Sequence, residues 1–313
     1  MAGKLTLLDI AKRTGNDPQV GIVESMIQSN ALLQVLPFRS INGISYRYAQ
    51  RKGLPTVSFR GFNQGVTASK SVVQQITIET KNIGGRSQID KLLAEADPQG
   101  VQHARAEEDM SFLAAMGNLY NSKAFYGNAT TSPLEFNGIA SMLNALGGTA
   151  IGAGGSTGSS IYAVAFNDAV SPQGRMRGVE GILGNGKNIS MVDMGLYYAV
   201  DADSNSYLAY TTEFEFAPGL AVYDTRSIAR LANIDSTHKP SVTLLNQIIT
   251  AMFPFVPSMF FCSKQTYNWV QDLKGTTINN VTVGNNLFER VTQFNGIPIL
   301  IDENISDSET AIS

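Results

Sequence analysis

Cysteine, histidine, tryptophan and charge are all scarce in this chain. Of 313 residues, one is cysteine (Cys262), two are histidine (His103 and His238) and one is tryptophan (Trp269). A single cysteine excludes an intrachain disulfide framework and any cysteine-rich zinc site, and it points to a reducing compartment. Two histidines leave little scope for acid–base chemistry near neutral pH. Only 16% of the residues are charged, against about 25% in ordinary globular domains, so part of the surface is expected to be covered by other subunits. The 23 basic and 26 acidic residues give a net charge of −3. That is too near zero to mark a nucleic-acid or membrane binder by bulk charge. No apolar run reaches the roughly 18 residues of a membrane span. Lys4 and Asp9 break up what a signal peptide would need as its apolar segment, so none is expected.

What is present suggests about two domains, in a chain long enough to bury a substantial core. Residues 1–38 read as an arm of two short helical pieces around the turn Gly15-Asn16-Asp17-Pro18, with Ile22, Met26, Leu32, Leu33 and Leu36 apolar and Pro37 as a stop. Residues 39–80 change to period-two writing. Ile44, Tyr46 and Tyr48 alternate with Ser45 and Arg47, and Val57 and Phe59 with Ser58 and Arg60. This predicts two strands with Arg51-Lys52-Gly53 as a hairpin tip, then a third strand from Val72 to Thr80. Such a ribbon cannot build a core of its own and must lean on something else.

A long helix is expected from Pro98 to about Tyr126, capped by Asp97, with Val101, Ala104, Glu108, Phe112, Ala115 and Leu119 along one face. Arg105 is placed to reach Glu108 and Asp109 one turn on. The run at 147–160, rich in glycine and serine, reads as a flexible linker. Residues 161–235 read mostly as strands. From residue 236 the pattern turns α/β: a helix between Pro240 and Pro254, the strand at 258–262, a helix near Lys264–Leu273 capped by Ser263, and a closing strand at Ile297–Ile301. No internal repeat is evident.

Motifs for chemistry are weak. Gly154-Gly155-Ser156-Thr157-Gly158 spells the G-x-S-x-G of a hydrolase nucleophile elbow, and Ser156, then Asp201 or Asp224, then His238 follows hydrolase chain order. The elbow needs a strand before it and a helix after it, and linker chemistry precedes it here. Gly181 to Lys187 resembles a P-loop, but Asn188 stands where a magnesium-binding hydroxyl belongs, so a glycine-rich surface loop is the better reading. His103 and Glu107 sit at i, i+4 and could supply two metal ligands, with no third suggested by spacing. His238 reads as part of an exposed cap region, and Tyr267 and Trp269 as packing aromatics. No catalytic, cofactor or metal constellation emerges.

Charge layout is more informative. Residues 39–78 carry Arg39, Arg47, Arg51, Lys52, Arg60 and Lys70 with no acid, a block of +6. Residues 188–225 carry Asp193, Asp201, Asp203, Glu213, Glu215 and Asp224 with no base, a block of −6. A ribbon of one sign and a β-segment of the other suggest a docking pair, within a subunit or between subunits. Arg47, Arg51, Lys52 and Arg60 are expected to face Asp201, Asp203, Glu213 and Glu215.

Several stretches then resemble a known family, in this order: AFYGN (124–128) with FNGI (136–139), SSIYAVAFNDAVSPQGRMRGVEG (159–181), FAPGLAVYDTRSIARLANID (216–235) and FNGIPILIDENI (294–305). The chain resembles the major capsid proteins of tailed bacteriophages, with the Hong Kong 97 coat-protein fold, and is most similar to those of short-tailed phages. The resemblance implies an α+β fold with an N-arm (1–38), an extended E-loop β-ribbon (39–85), a peripheral domain with a long spine helix (86–135 and 160–235) and an axial domain (136–159 and 236–313). It implies no enzyme activity and no cofactor. It implies self-assembly into hexamers and pentamers of an icosahedral head enclosing double-stranded DNA. Scaffolding, portal and cementing proteins are further partners, DNA contact is non-specific, and no membrane is involved. The setting is a virion assembled in the host bacterial cytoplasm. No Lys/Asn pair is assignable to a covalent crosslink, so closure is expected to be non-covalent. An encapsulin-type compartment shell shares this fold and is the alternative; a hydrolase using Ser156 is a more distant one.

Overall fold

A computed structural model describes residues 30–166, 177–186, 189–275, 281–282 and 293–313. The first arm piece, with Ile22 and Met26, lies outside the described residues.

The chain enters through helix α1 (Ala31–Val35), with Leu32 and Leu36 buried ahead of Pro37, and then strand β1 (Phe38–Ser40). Strands β2 (Ser45–Gly53) and β3 (Val72–Glu79) form an antiparallel ribbon, with Tyr46 opposite Ile78 and Tyr48 opposite Ile76. The tip is not where the sequence places it. Arg51 and Gly53 lie in the ladder opposite Val73 and Val72, and residues 54–71, including Val57, Phe59 and Arg60, form an exposed loop without strand pairing. Alternation alone cannot make a strand where no neighbour offers a ladder.

Strand β4 (Ile83–Asp90) leads through helix α2 (Lys91–Glu95), capped by the Asp90 carboxylate, to helix α3 (Val101–Tyr126). At 1.5 Å per residue the 26 residues of α3 span about 39 Å. Its start is three residues later than expected, because Gly100 adopts φ +94° and breaks the helical run there; Asp97 accepts from Gln99 N in a turn instead. Its buried face also differs: Ala104, Met116, Tyr120 and Ala124 are buried, whereas Ala115 and Leu119 are exposed. Steps of four residues drift around a 3.6-residue helix, so the buried stripe winds as α3 passes from one set of partners to the next.

After helix α4 (Ile139–Met142) come β5 (Ala150–Gly152), β6 (Thr157–Val164) and β7 (Val179–Leu183). The run at 147–160 therefore carries β5 and the start of β6, joined by short turns, rather than one flexible linker. At Gly158 the glycine serves close packing, since a Cβ there would overlap the Ile234 carbonyl oxygen. Strands β8 (Ser190–Val200) and β9 (Ser206–Phe216) form a long hairpin, followed by β10 (Pro218–Val222) and β11 (Ile228–Ile234). Helix α5 (Val242–Ala251) is capped by Ser241, strand β12 (Met259–Cys262) follows, and helix α6 (Lys264–Gln271) is capped by Ser263 as expected. The chain closes with β13 (Val281–Thr282), β14 (Gln293–Phe294), β15 (Ile297–Ile301) and β16 (Glu309–Thr310).

These strands make four sheets among the described residues. The largest runs β13-β14-β15-β12-β6-β11-β5, with β16 also on β6; β1-β7-β10 and β4-β9-β8 are smaller, and β2-β3 is the ribbon. Strand β6 divides two cores. Tyr162 and Val164 face α3 and its aromatic partners, while Ile161 and Ala163 face α5 and α6. Both faces are covered, and the second half of the strand, Ile161 to Val164, reads as an unbroken apolar run. Strand β6 pairs with both β11 and β12, and β11 also with β5, so the division expected at 159/160 falls inside β6 and that at 235/236 separates β11 from β12 of the same sheet.

Candidate assembly interface

The pleat of the ribbon gives it two unlike faces. Tyr46, Tyr48, Ile76 and Ile78 turn toward the body and are half-buried, whereas Arg47, Ala49 and Arg51 turn outward and are exposed. Tyr48 OH donates to Val222 O at 3.3 Å, and Gln50 Nε2 to Tyr223 O at 3.0 Å. Lys52 lies at the irregularity between Arg51 and Gly53. Arg60 lies on the tip loop among exposed Leu54, Val57, Phe59, Phe62 and Val66. Nothing in the sequence-based strand pattern signals that these five apolar side chains are uncovered together.

The acidic block is less uniform than its sequence suggests. Asp193 pairs with Arg105 from α3, Glu213 with Arg86 at 2.8 Å, and Asp224 with Arg226 at 2.7 Å. Arg105 therefore reaches across to the sheet, where its guanidinium also lies 5.4 Å from the Tyr210 ring, rather than serving mainly its own helix. The hydrogen bond from Arg105 holds the Asp193 carboxyl below its usual value. Burial pushes Asp224 up, but hydrogen bonds and charge from Arg226, together with Lys52, leave it lowered on balance. Asp201 and Asp203 occupy the exposed turn of the β8–β9 hairpin, where Asp201 Oδ1 accepts from Asp203 N (2.9 Å) and Asn205 N (2.8 Å). Glu215 is exposed near the other end of β9. Among the described residues no ion pair joins Arg47, Arg51, Lys52 or Arg60 to Asp203, Glu213 or Glu215.

Strand β8 is the edge of its sheet, and among the described residues its outer side has no strand partner. It exposes Met191, Val192, Leu196, Tyr197, Tyr198 and Val200. An exposed apolar edge strand is a template for association. Its run of apolar residues without alternation was the available signal, and charge drew attention away from it.

The alternatives for chemistry fare differently. His238 Nδ1 meets Asp235 Oδ1 at 3.0 Å, so its acid is Asp235 and not Asp201 or Asp224. Ser156 is exposed at the entry to β6, and among the described residues no hydrogen bond joins it to His238. No helix follows it, as an elbow requires. In the P-loop-like stretch, Gly181–Leu183 belongs to buried β7 and Gly184–Gly186 is a tight turn, which corrects the surface-loop reading; Lys187 and Asn188 lie outside the described residues. His103 Nε2 lies 3.7 Å from Glu107 Oε1, and among the described residues no cluster of three metal-ligating side chains forms.

Comparison with known proteins follows the same line. The model of the family "Major capsid protein GP7" matches residues 14–313. No curated protein matches the chain. Among solved structures, a chain of bacteriophage Epsilon15 superposes with a TM-score of 0.74 at 22% identity, covering 100% of this chain and 99% of that one. The bacteriophage JBD30 capsid superposes with a TM-score of 0.59 at 10% identity, covering 96% and 98%. At these identities the likeness is one of fold.

Proposed function

The chain belongs to the family of the major capsid protein GP7, and from that premise we propose how it builds a shell: as hexamers and pentamers of an icosahedral phage head around double-stranded DNA. It is a coat protein with the Hong Kong 97-type fold, a structural subunit that self-assembles into the capsid of a virion and not an enzyme. The observation that carries the reading is the family match from residue 14 to residue 313, which also favours a phage coat over an encapsulin shell or a Ser156 hydrolase.

In this reading 1–38 is the N-arm and 39–85 the E-loop. Helix α3 with β4-β9-β8 forms the peripheral domain; the axial one takes the large sheet with α5 and α6, including the β6 and β11 residues that the expected bounds (160–235) gave to the peripheral domain. The E-loop lies across a neighbouring subunit, with Arg47, Arg51, Lys52 and Arg60 facing Asp201, Asp203, Glu213 and Glu215 there. Two features support it: the outward face of the ribbon is basic, and both the ribbon tip and edge strand β8 expose apolar side chains that an isolated subunit leaves in water. Assembly takes place in the host bacterial cytoplasm, with scaffolding, portal and cementing proteins as further partners. DNA contact is weak and sequence-blind, as the near-neutral net charge suits. Electron microscopy of the expressed protein tests the reading. Closed, regular particles are expected; a protein that stays monomeric at all concentrations overturns it. DNA-filled particles with tails, from infected cells, separate a phage head from an enzyme-packaging shell.

A further inference from the structure

The inward face of the ribbon converges on one residue. Tyr223, which follows β10, lies with its ring 4.8 Å from that of Tyr48 and 6.3 Å from that of Tyr46, both edge-on. Gln50 Nε2 donates to the Tyr223 carbonyl. The Tyr223 hydroxyl in turn donates to Glu180 Oε1, on β7. The same carboxylate oxygen receives Arg39 Nε at 3.1 Å, and the Glu180 side chain is only 5% exposed. Arg39 Nη1 then donates to Tyr46 OH at 3.3 Å, with its guanidinium 5.7 Å from the Tyr46 ring. A closed circuit results: Glu180 to Tyr223, Tyr223 to the ribbon tyrosines, Tyr46 back through Arg39 to Glu180.

The members of this circuit differ in how firmly they are held. Strand β7 is fully buried, with Glu180 laddered to Ala221 of β10 and the residues after it to β1, so the Glu180 backbone is firmly held. The ribbon has no such support. At its root Thr80 N and Oγ1 both donate to Ile44 O, at 2.9 and 3.0 Å, and farther out it is a two-stranded element of the kind that is marginal alone. A charge-assisted hydrogen bond is about twice as strong as a neutral one, and Glu180 offers one each to Arg39 and Tyr223.

We propose that Glu180 is a positioning residue for assembly: through Arg39 and Tyr223 it fixes the angle at which the ribbon leaves its own subunit. The consequence rests on the reading of the ribbon as an assembly element, but the latch itself belongs to the single subunit. Arg39 sits on β1, directly after the arm, so the exit of the arm and the seat of the ribbon share one acid.

Hydrogen exchange on the free, unassembled subunit tests this. Glu180→Gln keeps an acceptor for Tyr223 but removes the charge opposite Arg39, and exchange across 45–50 and 75–80 is expected to quicken about tenfold. Exchange in β6 and β11 stays unchanged. Tyr46→Leu, made on the ribbon and outside the two main cores, removes the Arg39 link from the other side and is expected to loosen the same amides. It also keeps the test available if Glu180→Gln does not fold. Glu180→Asp, which restores the charge, recovers part of the protection. Unchanged exchange over 45–50 and 75–80 in both variants, or an increase spread equally over β6 and β11, overturns the latch. If the ribbon loosens and particles of normal size and number still form, the latch stands and its consequence for assembly falls.

Discussion

Arg230 Nη2 lies 2.8 Å from Glu309 Oε2, and the two side chains are 5% and 7% exposed. The pair does not stand alone. Glu309 also accepts from Tyr162 OH at 3.0 Å and from the hydroxyls of Tyr126 and Ser160. Arg230 Nη1 and Nε reach Leu143 O and Ser160 Oγ, each at 3.0 Å. Five segments meet there: α3, the end of α4 at Leu143, β6, β11 and the last strand, β16. Residues 309–310 have only a two-residue ladder on β6, and this polar knot helps to seat them, along with the paired hydrogen bonds between Asn233 and the Ile312 backbone.

Breaking the knot from one side leaves a buried charge unpaired. Glu309→Ala is expected to destabilise the subunit by about 3–5 kcal/mol. Replacing both partners together, Arg230→Met with Glu309→Leu, should cost clearly less, because neither charge then remains. Urea unfolding of the unassembled subunit measures both, and equal losses for the single and double variants would contradict the argument.

Cys262, at the end of β12, is buried with its Sγ 3.8 Å from Leu300 O. Burial first, and the Asp307 carboxylate second, push its thiol up from the ordinary 9.0 to about 12. The folded chain therefore holds this proton more tightly than the unfolded one. The contribution to stability is complete below pH 9.0 and declines as pH rises from there toward about 12. Cys262→Ala should flatten that alkaline decline in unfolding experiments. In the native protein at neutral pH the thiol should resist alkylation, since the thiolate is the reactive form; rapid labelling of folded protein would rule this out.

Much of the frame was legible in the sequence where a local rule and a buried partner agree. Ser263 caps the helix it precedes, and the alternation of Tyr46 and Tyr48 with Arg47 gives the ribbon its true two faces. Where the partner is distant in sequence, local rules failed. Arg105 could be matched only to Glu108 and Asp109 along its own helix, because Asp193 lies on a strand that sequence spacing cannot bring near. The acids at 193 and 213 looked free for the same reason, whereas the partner of Asp224, Arg226, lies just past the end of the acidic block. The glycine-rich run read as linker because composition does not distinguish a flexible backbone from one that, at Gly158, must pass close to Ile234. Exposure was the least legible property: Phe59 and Phe62 are of the type that fills cores, and only the fold shows them in water.

That exposure gives a direct expectation. Phe59→Ser with Phe62→Ser removes apolar area that contributes nothing to the core of the subunit, so the unfolding midpoint should move little. Surface changes of this kind usually stay within about 0.5 kcal/mol. Particle yield should fall sharply if these rings are covered by a neighbour, by about 1.5–3 kcal/mol for each large side chain fully buried there. Sedimentation of the expressed protein reads the outcome; normal particle yield from the double variant would show that the tip stays in solvent after assembly.

Charge gives the last expectation, and here the intramolecular pairs matter. Asp193, Glu213 and Asp224 already hold arginines of their own chain, so the proposed contact rests chiefly on Asp203 and Glu215, with Asp201 beside Asp203 on the exposed hairpin turn. An exposed pair contributes only about 0.2–1 kcal/mol, but a shell repeats it in every subunit. Arg51→Glu with Lys52→Glu should block or misdirect assembly while the subunit still folds. Because Lys52 also favours ionised Asp224 in its own subunit, Arg51→Glu alone serves as the control that leaves that local term in place. Adding Asp201→Lys with Asp203→Lys should restore particles and so identify the partner surface. With a Debye length near 8 Å at 0.15 M salt, assembly of the unaltered protein should weaken as salt rises. Particles of normal size and yield from the reversed ribbon, across a range of salt, would mean that these two charge blocks do not meet.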